Sequence, residues 1–379
     1  RFSHSLGVMH LARRLLERLS RFADAPTLPA IAVQCAALLH DTGHGPFSHV
    51  IENFFAEHHE EWTRRIVMDP GTEAHGALVA FDPALPQLVA DAIEGNLKPA
   101  WLNRIVSSQL DADRFDYLLR DSHMTGVKYG VFDLERLLLM LRVTGDGEGL
   151  AVAAKGLLPV EKYLQSRYHM YRQVYFHKTV TAGEAMLMAV LHRAADLLRA
   201  GEHCPGVDPA SSLARGLTGV GLSIEDYLRM DDMVVWGALG QWAHCEDPVL
   251  AEISTRLLNR RLFKSLEIAN YEEQDLEIQG RIGRAEDLLR ARGLDPRYYL
   301  LYSKSADTPY RPYDPRSSRP GQTIWIEDPA RPGTLVDVKD ASPTIRAFTQ
   351  SPYAIWRAFF PEAAGGENLR ATMNKAFNE

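Results

Sequence analysis

Histidines and aspartates gather in distant stretches of this chain in a pattern that suits one metal ion. The first stretch is Leu38-Leu39-His40-Asp41-Thr42-Gly43-His44-Gly45-Pro46-Phe47-Ser48-His49, and the second is Leu110-Asp111-Ala112-Asp113-Arg114-Phe115-Asp116-Tyr117. Arg1-Phe2-Ser3-His4-Ser5 adds one more histidine. Imidazole and carboxylate together suit a divalent transition metal, and the set does not choose among Fe, Mn, Zn, Co and Ni. A metal held this way makes water a nucleophile at neutral pH, so the chemistry expected is metal-assisted hydrolysis. Adjacent side chains on a helix diverge by about 100°, so His40 and Asp41 serve one ion only near a helix end, where Gly43 loosens the backbone. His4 and Asp113 would complete four protein ligands, with Asp111 the competing position. A lone His-Asp pair carries little weight. Three histidines and an aspartate within ten residues, broken by two glycines, are a poor design for a plain helical core.

Acid–base and phosphate-binding groups lie close by in sequence. If a helix starts at Pro46, His49 and Glu52 stand at i and i+3 on one face. A carboxylate there orients the imidazole and favours the proton that a general acid must donate. His44 and His59, the latter followed by Glu60, are further candidates, although a solvated helix start is the plainer reading of His58-His59. Arg114, Tyr117 and Asp121 fall at i, i+3 and i+7, a stripe beside Asp113. Arg167, Tyr171, Tyr175 and Lys178 follow i, i+4, i+8 and i+11. By itself that face reads as an ordinary half-buried helix surface.

The bulk properties fit such an enzyme. A chain of 379 residues with 46% apolar and 24% charged content is that of a globular protein with ample core. The net charge of −7 gives no global field for nucleic acid. Cys35, Cys204 and Cys245 make neither a disulfide framework nor a CxxC site, which favours a reducing cytoplasm. No apolar run reaches membrane-spanning length, and no signal peptide is read. The chain opens on Arg1 and not Met, so upstream residues are expected.

Periodicity predicts helices over 5–22, 28–42, 59–68, 73–80, 84–93, 98–109 and 111–123. Gly145-Asp146-Gly147 between two β-prone runs, 141–144 and 149–153, predicts a hairpin. One long helix is expected from Pro159 to Ala200, since only Gly183 interrupts it. Residues 224–260 remain helical. Beyond Arg261 short β-prone runs appear at Phe263–Ile268, Tyr298–Tyr302, Thr323–Glu327 and Tyr353–Phe359, with Pro and Gly clustered between 308 and 333. The expected fold is mostly α: a helical catalytic domain over 1–260 and a smaller mixed α/β lobe over 261–379.

These motifs, in order and spacing, resemble the HD-domain phosphohydrolases over roughly residues 1–270. The likeness rests on Arg1-Phe2-Ser3-His4-Ser5-Leu6-Gly7, on the His40–His49 stretch, and on Asp111-Ala112-Asp113-Arg114-Phe115-Asp116-Tyr117-Leu118-Leu119-Arg120-Asp121. It is nearest to the deoxynucleoside triphosphate triphosphohydrolases, the branch with the vertebrate antiviral dNTPase and bacterial dGTPase-type enzymes. The resemblance implies an HD-type helical core in which His4, His40, Asp41 and Asp113 hold the metal. It implies that Arg1, Arg114, Arg167 and Lys178 meet phosphate, and that Tyr117, Asp121 and Tyr175 hold the sugar. It also implies a dNTP substrate, with Mg²⁺ a further candidate for the triphosphate, and a homo-oligomer. Glu52 stands where the family has Asp, and Arg114 where it often has Lys. Phe176 stands where the antiviral enzyme has Gln, so base selection does not carry over. Other readings are an HD enzyme for another nucleotide phosphoester, or a nucleotide sensor without turnover.

Overall fold

A computed structural model describes residues 1–268, 276–307, 310, 323–328, 330–331, 333–350, 353–364 and 367–378. Helices dominate, and the sheets are small. The chain divides into two compact units that interleave in sequence. One comprises Arg1–Gly43, His58–Gln173 and Asp307–Pro352; the other comprises His44–Glu57, Val174–Ala306 and Tyr353–Glu379.

The first unit carries the metal-site motifs. Its opening helix, Phe2–Leu19, buries Val8, Leu11, Ala12, Leu15, Leu16 and Leu19. That i, i+3, i+4 pattern fixes which face turns inward. The helix Thr27–Leu39 packs against it and buries Ala32, Val33, Ala36 and Ala37. The helix Ala112–Thr125 lies on the opening helix as well. Asp111 caps its N-terminus by accepting from the Arg114 amide at 2.8 Å, and Gly126 closes it with φ 75°. Phe115, Phe132 and Tyr163 meet edge-on or tilted beneath this helix, with ring centroids 5.2–5.9 Å apart. The predicted hairpin forms between Leu141–Val143 and Leu150–Val152, with Leu141 opposite Val152. Trp325–Glu327 joins it in parallel and Leu335–Asp337 follows antiparallel, completing a four-stranded sheet.

The second unit is built on the helix Lys178–Arg199, which buries Met186, Leu187, Val190 and Leu191. The helices Ser212–Thr218 and Pro248–Leu258 pack on it. A three-stranded sheet places Tyr353–Phe360 between Lys264–Ile268 and Leu301–Asp307. Two strand expectations shift in register along the chain. Pro296–Tyr299 is a helical turn capped by Asp295, and the strand begins only at Leu301. Thr323 and Ile324 precede the strand that starts at Trp325. Most of the Pro- and Gly-rich stretch 308–333 lies outside the described residues.

Three helix expectations need correction. Pro46 does not start a helix. Phe47 and Ser48 both take φ 51°, and the helix His49–Phe55 begins after them. The segment 98–109 is not one helix but a 3₁₀ turn, Ala100–Leu102, and one further turn, Asn103–Val106. The buried Asn103 amide bonds the Leu97 and Ala100 carbonyls, which holds the chain in this tighter form. The long helix is interrupted. Leu157–Met170 widens to π winding over Tyr171–Tyr175, and a new helix starts at Lys178. His177 is extended and its ring accepts from the Thr179 amide, so a histidine acts as the cap where neither Gly nor Pro marks a break. The uninterrupted face expected from Arg167 to Lys178 therefore does not exist.

Candidate metal centre and acid–base pair

The metal motifs converge because three backbone ends meet in the first unit. His4 lies on the first turn of Phe2–Leu19. His40 and Asp41 follow the last turn of Thr27–Leu39. Asp113 lies on the first turn of Ala112–Thr125. His4 Nε2 is 3.2 Å from Asp113 Oδ1 and 3.7 Å from Asp41 Oδ2. His40 Nε2 is 3.2 Å from Asp41 Oδ1 and 3.5 Å from Asp113 Oδ1. The two imidazoles meet edge-on with centroids 5.3 Å apart. Their other nitrogens face away: His40 Nδ1 lies 2.9 Å from the Ala37 carbonyl and His4 Nδ1 2.8 Å from Asp116 Oδ2. A carbonyl only accepts, so His40 Nδ1 carries a proton and Nε2, beside the carboxylates, is the nitrogen left for an ion.

This donor set fits a divalent transition metal. His40 Nε2 is buried and makes no hydrogen bond among the described residues, though two carboxylates stand beside it. Burial opposes the imidazolium, but the Asp113 and Asp116 carboxylates prevail and lift the His4 pKa to about 9. His40 is raised and Asp113 is lowered by the same pairings, each against its own burial. A cation among these oxygens would take the place of those protons.

The loop after the first histidine pair is held by Thr63. Its hydroxyl donates to the His40 carbonyl at 2.8 Å and accepts from the Gly43 amide at 2.9 Å. A Cβ at Gly43 would fall 2.1 Å from the His59 carbonyl, so only glycine passes there. His59 itself opens the helix His59–Met68. Arg1 Nη1 lies 2.5 Å from Asp41 Oδ2.

The competing aspartate has a different task. Asp111 is fully buried and accepts from the Ser108 and Arg114 amides and from the Arg114 guanidinium. Arg114 also donates to the Ser108 carbonyl at 2.5 Å, and the Asp111 charge raises its pKa. Arg167 is buried; its Nη1 donates to Gln109 Oε1 at 3.0 Å, and its guanidinium sits 5.4 Å from the Tyr171 ring centre. Tyr117 and Asp121 share the helix with Arg114, and burial holds the Tyr117 hydroxyl well above its ordinary pKa.

In the second unit His49 is the first residue of its helix, with a largely exposed side chain, and its Nδ1 lies 2.9 Å from Glu52 Oε2. The His44 ring meets His49 edge-on at 5.1 Å. Burial raises the carboxyl of Glu184, and the charge on His49 acts on it in the opposite sense. The Phe47 amide donates to Asp232 at 2.8 Å, which helps to hold the left-handed pair before His49. Tyr175 ends the π turn, and Lys178 opens the next helix with an exposed side chain.

Comparison with known proteins identifies the family. The HD domain family matches residues 1–121. The uncharacterized protein YwfO of Bacillus subtilis is 38% identical over 322 residues, covering 83% of this chain and 70% of its own. The chain belongs to the HD-domain phosphohydrolases. Human deoxynucleoside triphosphate triphosphohydrolase SAMHD1 is 29% identical over 237 residues, which are 52% of this chain and 37% of the human protein. A phosphohydrolase of Bacteroides thetaiotaomicron superposes with a TM-score of 0.76 at 28% identity, covering 95% of this chain and 87% of the other. Several of the curated relatives are matched over only about half their own length or less. Within this HD enzyme, sequence reasoning missed Asp116, Thr63, Gln109 and Glu184. Asp116 carried a local signal, since it stands one turn after Asp113. The other three are brought in by tertiary packing alone.

Proposed function

We propose that this HD phosphohydrolase cleaves deoxynucleoside triphosphates at a divalent-metal centre, releasing a deoxynucleoside and inorganic triphosphate. The observation that carries the reading is the convergence of the His4 and His40 Nε2 atoms on the Asp41 and Asp113 carboxylates. The similarity to enzymes named as deoxynucleoside triphosphate triphosphohydrolases supports the substrate class.

His4, His40, Asp41 and Asp113 would hold Fe, Mn, Zn, Co or Ni. Such an ion, when bound, polarises a phosphoryl oxygen and lowers the pKa of water. Around it the chain's own residues divide the work. Arg114 and Arg167 offset negative charge on the triphosphate, joined by Lys178 and Arg1. Arg114 rests on Asp111 and a carbonyl, and a phosphate oxygen offers it a further acceptor. Tyr117, Asp121 and Tyr175 grip the sugar. His49, oriented by Glu52, donates a proton to the leaving 5′-oxygen, with His44 and His59 as supporting histidines. A homo-oligomer is the expected working form.

A panel of deoxy- and ribonucleotides with Mn²⁺, scored for inorganic triphosphate against single phosphate, tests this. Triphosphate release with deoxy preferred over ribo is expected. Equal rates on ATP and dATP, or release of single phosphate, would move the reading to another nucleotide phosphoester. Binding without product would make the chain a sensor.

A further inference from the structure

We propose that Asp116, braced by Arg120, is the positioning residue for the metal ligand His4, and that residue 7 is glycine so that this carboxylate can reach the ring. The inference rests on the metal reading above.

One helix holds both edges of the His4 imidazole. Asp113 and Asp116 stand one turn apart on Ala112–Thr125. Asp113 Oδ1 lies 3.2 Å from Nε2, and Asp116 Oδ2 lies 2.8 Å from Nδ1. A carboxylate on Nδ1 fixes the proton there and leaves Nε2 as the ligand atom. Asp116 is itself fixed. Arg120, one turn further on, donates from Nε to Oδ2 at 2.7 Å and from Nη2 to Oδ1 at 2.9 Å. Asp116 is only 8% exposed, so the carboxylate side of this pairing is shielded from water.

Gly7 is the independent sign that the carboxylate's place matters. It sits mid-helix in Phe2–Leu19, one turn after His4, where glycine is ordinarily a weaker helix former than alanine. A Cβ there would fall 1.9 Å from Asp116 Oδ1 and 2.5 Å from Arg120 Nη2. Glycine at this position clears the path between the two helices for the Asp116–Arg120 pair.

The test strips metal from the full chain with a chelator and titrates Mn²⁺ while the free ion is followed by electron paramagnetic resonance. Wild type is compared with Asp116→Asn, Gly7→Ala and Arg120→Gln, and each protein is also melted without metal. Asp116→Asn and Gly7→Ala should each weaken Mn²⁺ binding by about 10–100-fold, and Arg120→Gln by less. A purely structural role would lower the metal-free melting temperature and leave Mn²⁺ affinity unchanged, which overturns the inference. Unchanged affinity in Arg120→Gln alone removes Arg120 from it. If Asp116→Asn does not fold, Gly7→Ala decides, because it keeps both partners and only displaces them. Wild type that takes up no Mn²⁺ overturns the metal reading and this inference with it. Wild type that binds as tightly as its variants overturns this inference alone.

Discussion

Two aspartates, two residues apart, do unlike work, and the difference can be measured. Asp113 faces the imidazoles, while Asp111 is buried under Arg114 and caps the helix. Asp113→Ala should lose metal and activity. Asp111→Ala should keep metal but lose stability, by about 1–3 kcal/mol for a cap and a charged partner. Elemental analysis beside a thermal melt separates the two, and metal loss confined to the Asp111 variant would reverse the assignment. His49 carries a second prediction at this scale. It stands nine residues after His40, with Glu52 on its Nδ1. His49→Ala should therefore retain metal and nucleotide binding and turn over about 10²–10⁴-fold more slowly. Glu52→Gln should show a milder loss. A His49→Ala protein that purifies without metal, or one with undiminished turnover, refutes the role. What was legible in sequence here were residue types at short range: His40 beside Asp41, and His49 three residues before Glu52. The choice between Asp111 and Asp113 needed to know which carboxylate the helix cap consumes. Thr63 and Gln109 were illegible because they bond backbone or arginine groups far away in the chain.

Helices were read well wherever a single apolar face governs them, as in Phe2–Leu19 and Thr27–Leu39. They were misread where a side chain does unusual work. Neither the π turn at Tyr171–Tyr175 nor the His177 cap leaves a Gly or Pro signal, so periodicity ran straight through both. The left-handed Phe47 and Ser48 likewise have no sequence mark, since neither is glycine. Asp247 offers a test of how such caps secure an element. It caps Pro248–Leu258 through the Val249 and Leu250 amides and takes Arg193 from the helix Lys178–Arg199 at 2.5–3.0 Å. Burial opposes its charge, but Arg193 and the amides prevail and lower its pKa. A depressed carboxyl contributes stability that is present above its unfolded value, near 3.8, and lost as pH falls through the folded value. Asp247→Asn keeps the cap but loses the charge pair. It should unfold at lower urea at pH 7, by about 1–2 kcal/mol given partial exposure of both groups. That gap should close as the pH drops below about 4. A gap that stays constant with pH would show that the pairing with Arg193 contributes nothing.

At the scale of the whole chain, composition and compactness follow different cuts. Apart from the hairpin at Leu141–Val152, the described strands lie beyond the change near residue 260, among them Lys264–Ile268, Leu301–Asp307 and Tyr353–Phe360. Compactness instead follows pairing. Trp325–Glu327 returns to the hairpin at Leu150–Val152, and Tyr353–Phe360 returns to Lys264–Ile268, so the late sequence is shared between the units. Strand partners so distant leave no periodic trace, which is why the interleaving was illegible in sequence. Within the first unit the metal motifs impose an analogous long-range constraint. The proposed ligands at positions 4, 40, 41 and 113 lie on or directly after three helices whose packing is otherwise a matter of apolar side chains. An ion bound only by the folded arrangement stabilises it by about 2.7 kcal/mol at a hundredfold excess over its dissociation constant. Because all three segments must be in place at once, the effect should be cooperative along the chain. Hydrogen exchange with and without Mn²⁺ should then show slowed exchange together in peptides spanning Phe2–Leu19, residues 34–43 and residues 108–121. The hairpin at Leu141–Val152 contributes no ligand and should change least among the elements of this unit. Protection limited to residues 34–43 would mean that His40 and Asp41 hold the ion without His4 and Asp113, and the four-residue centre would fall.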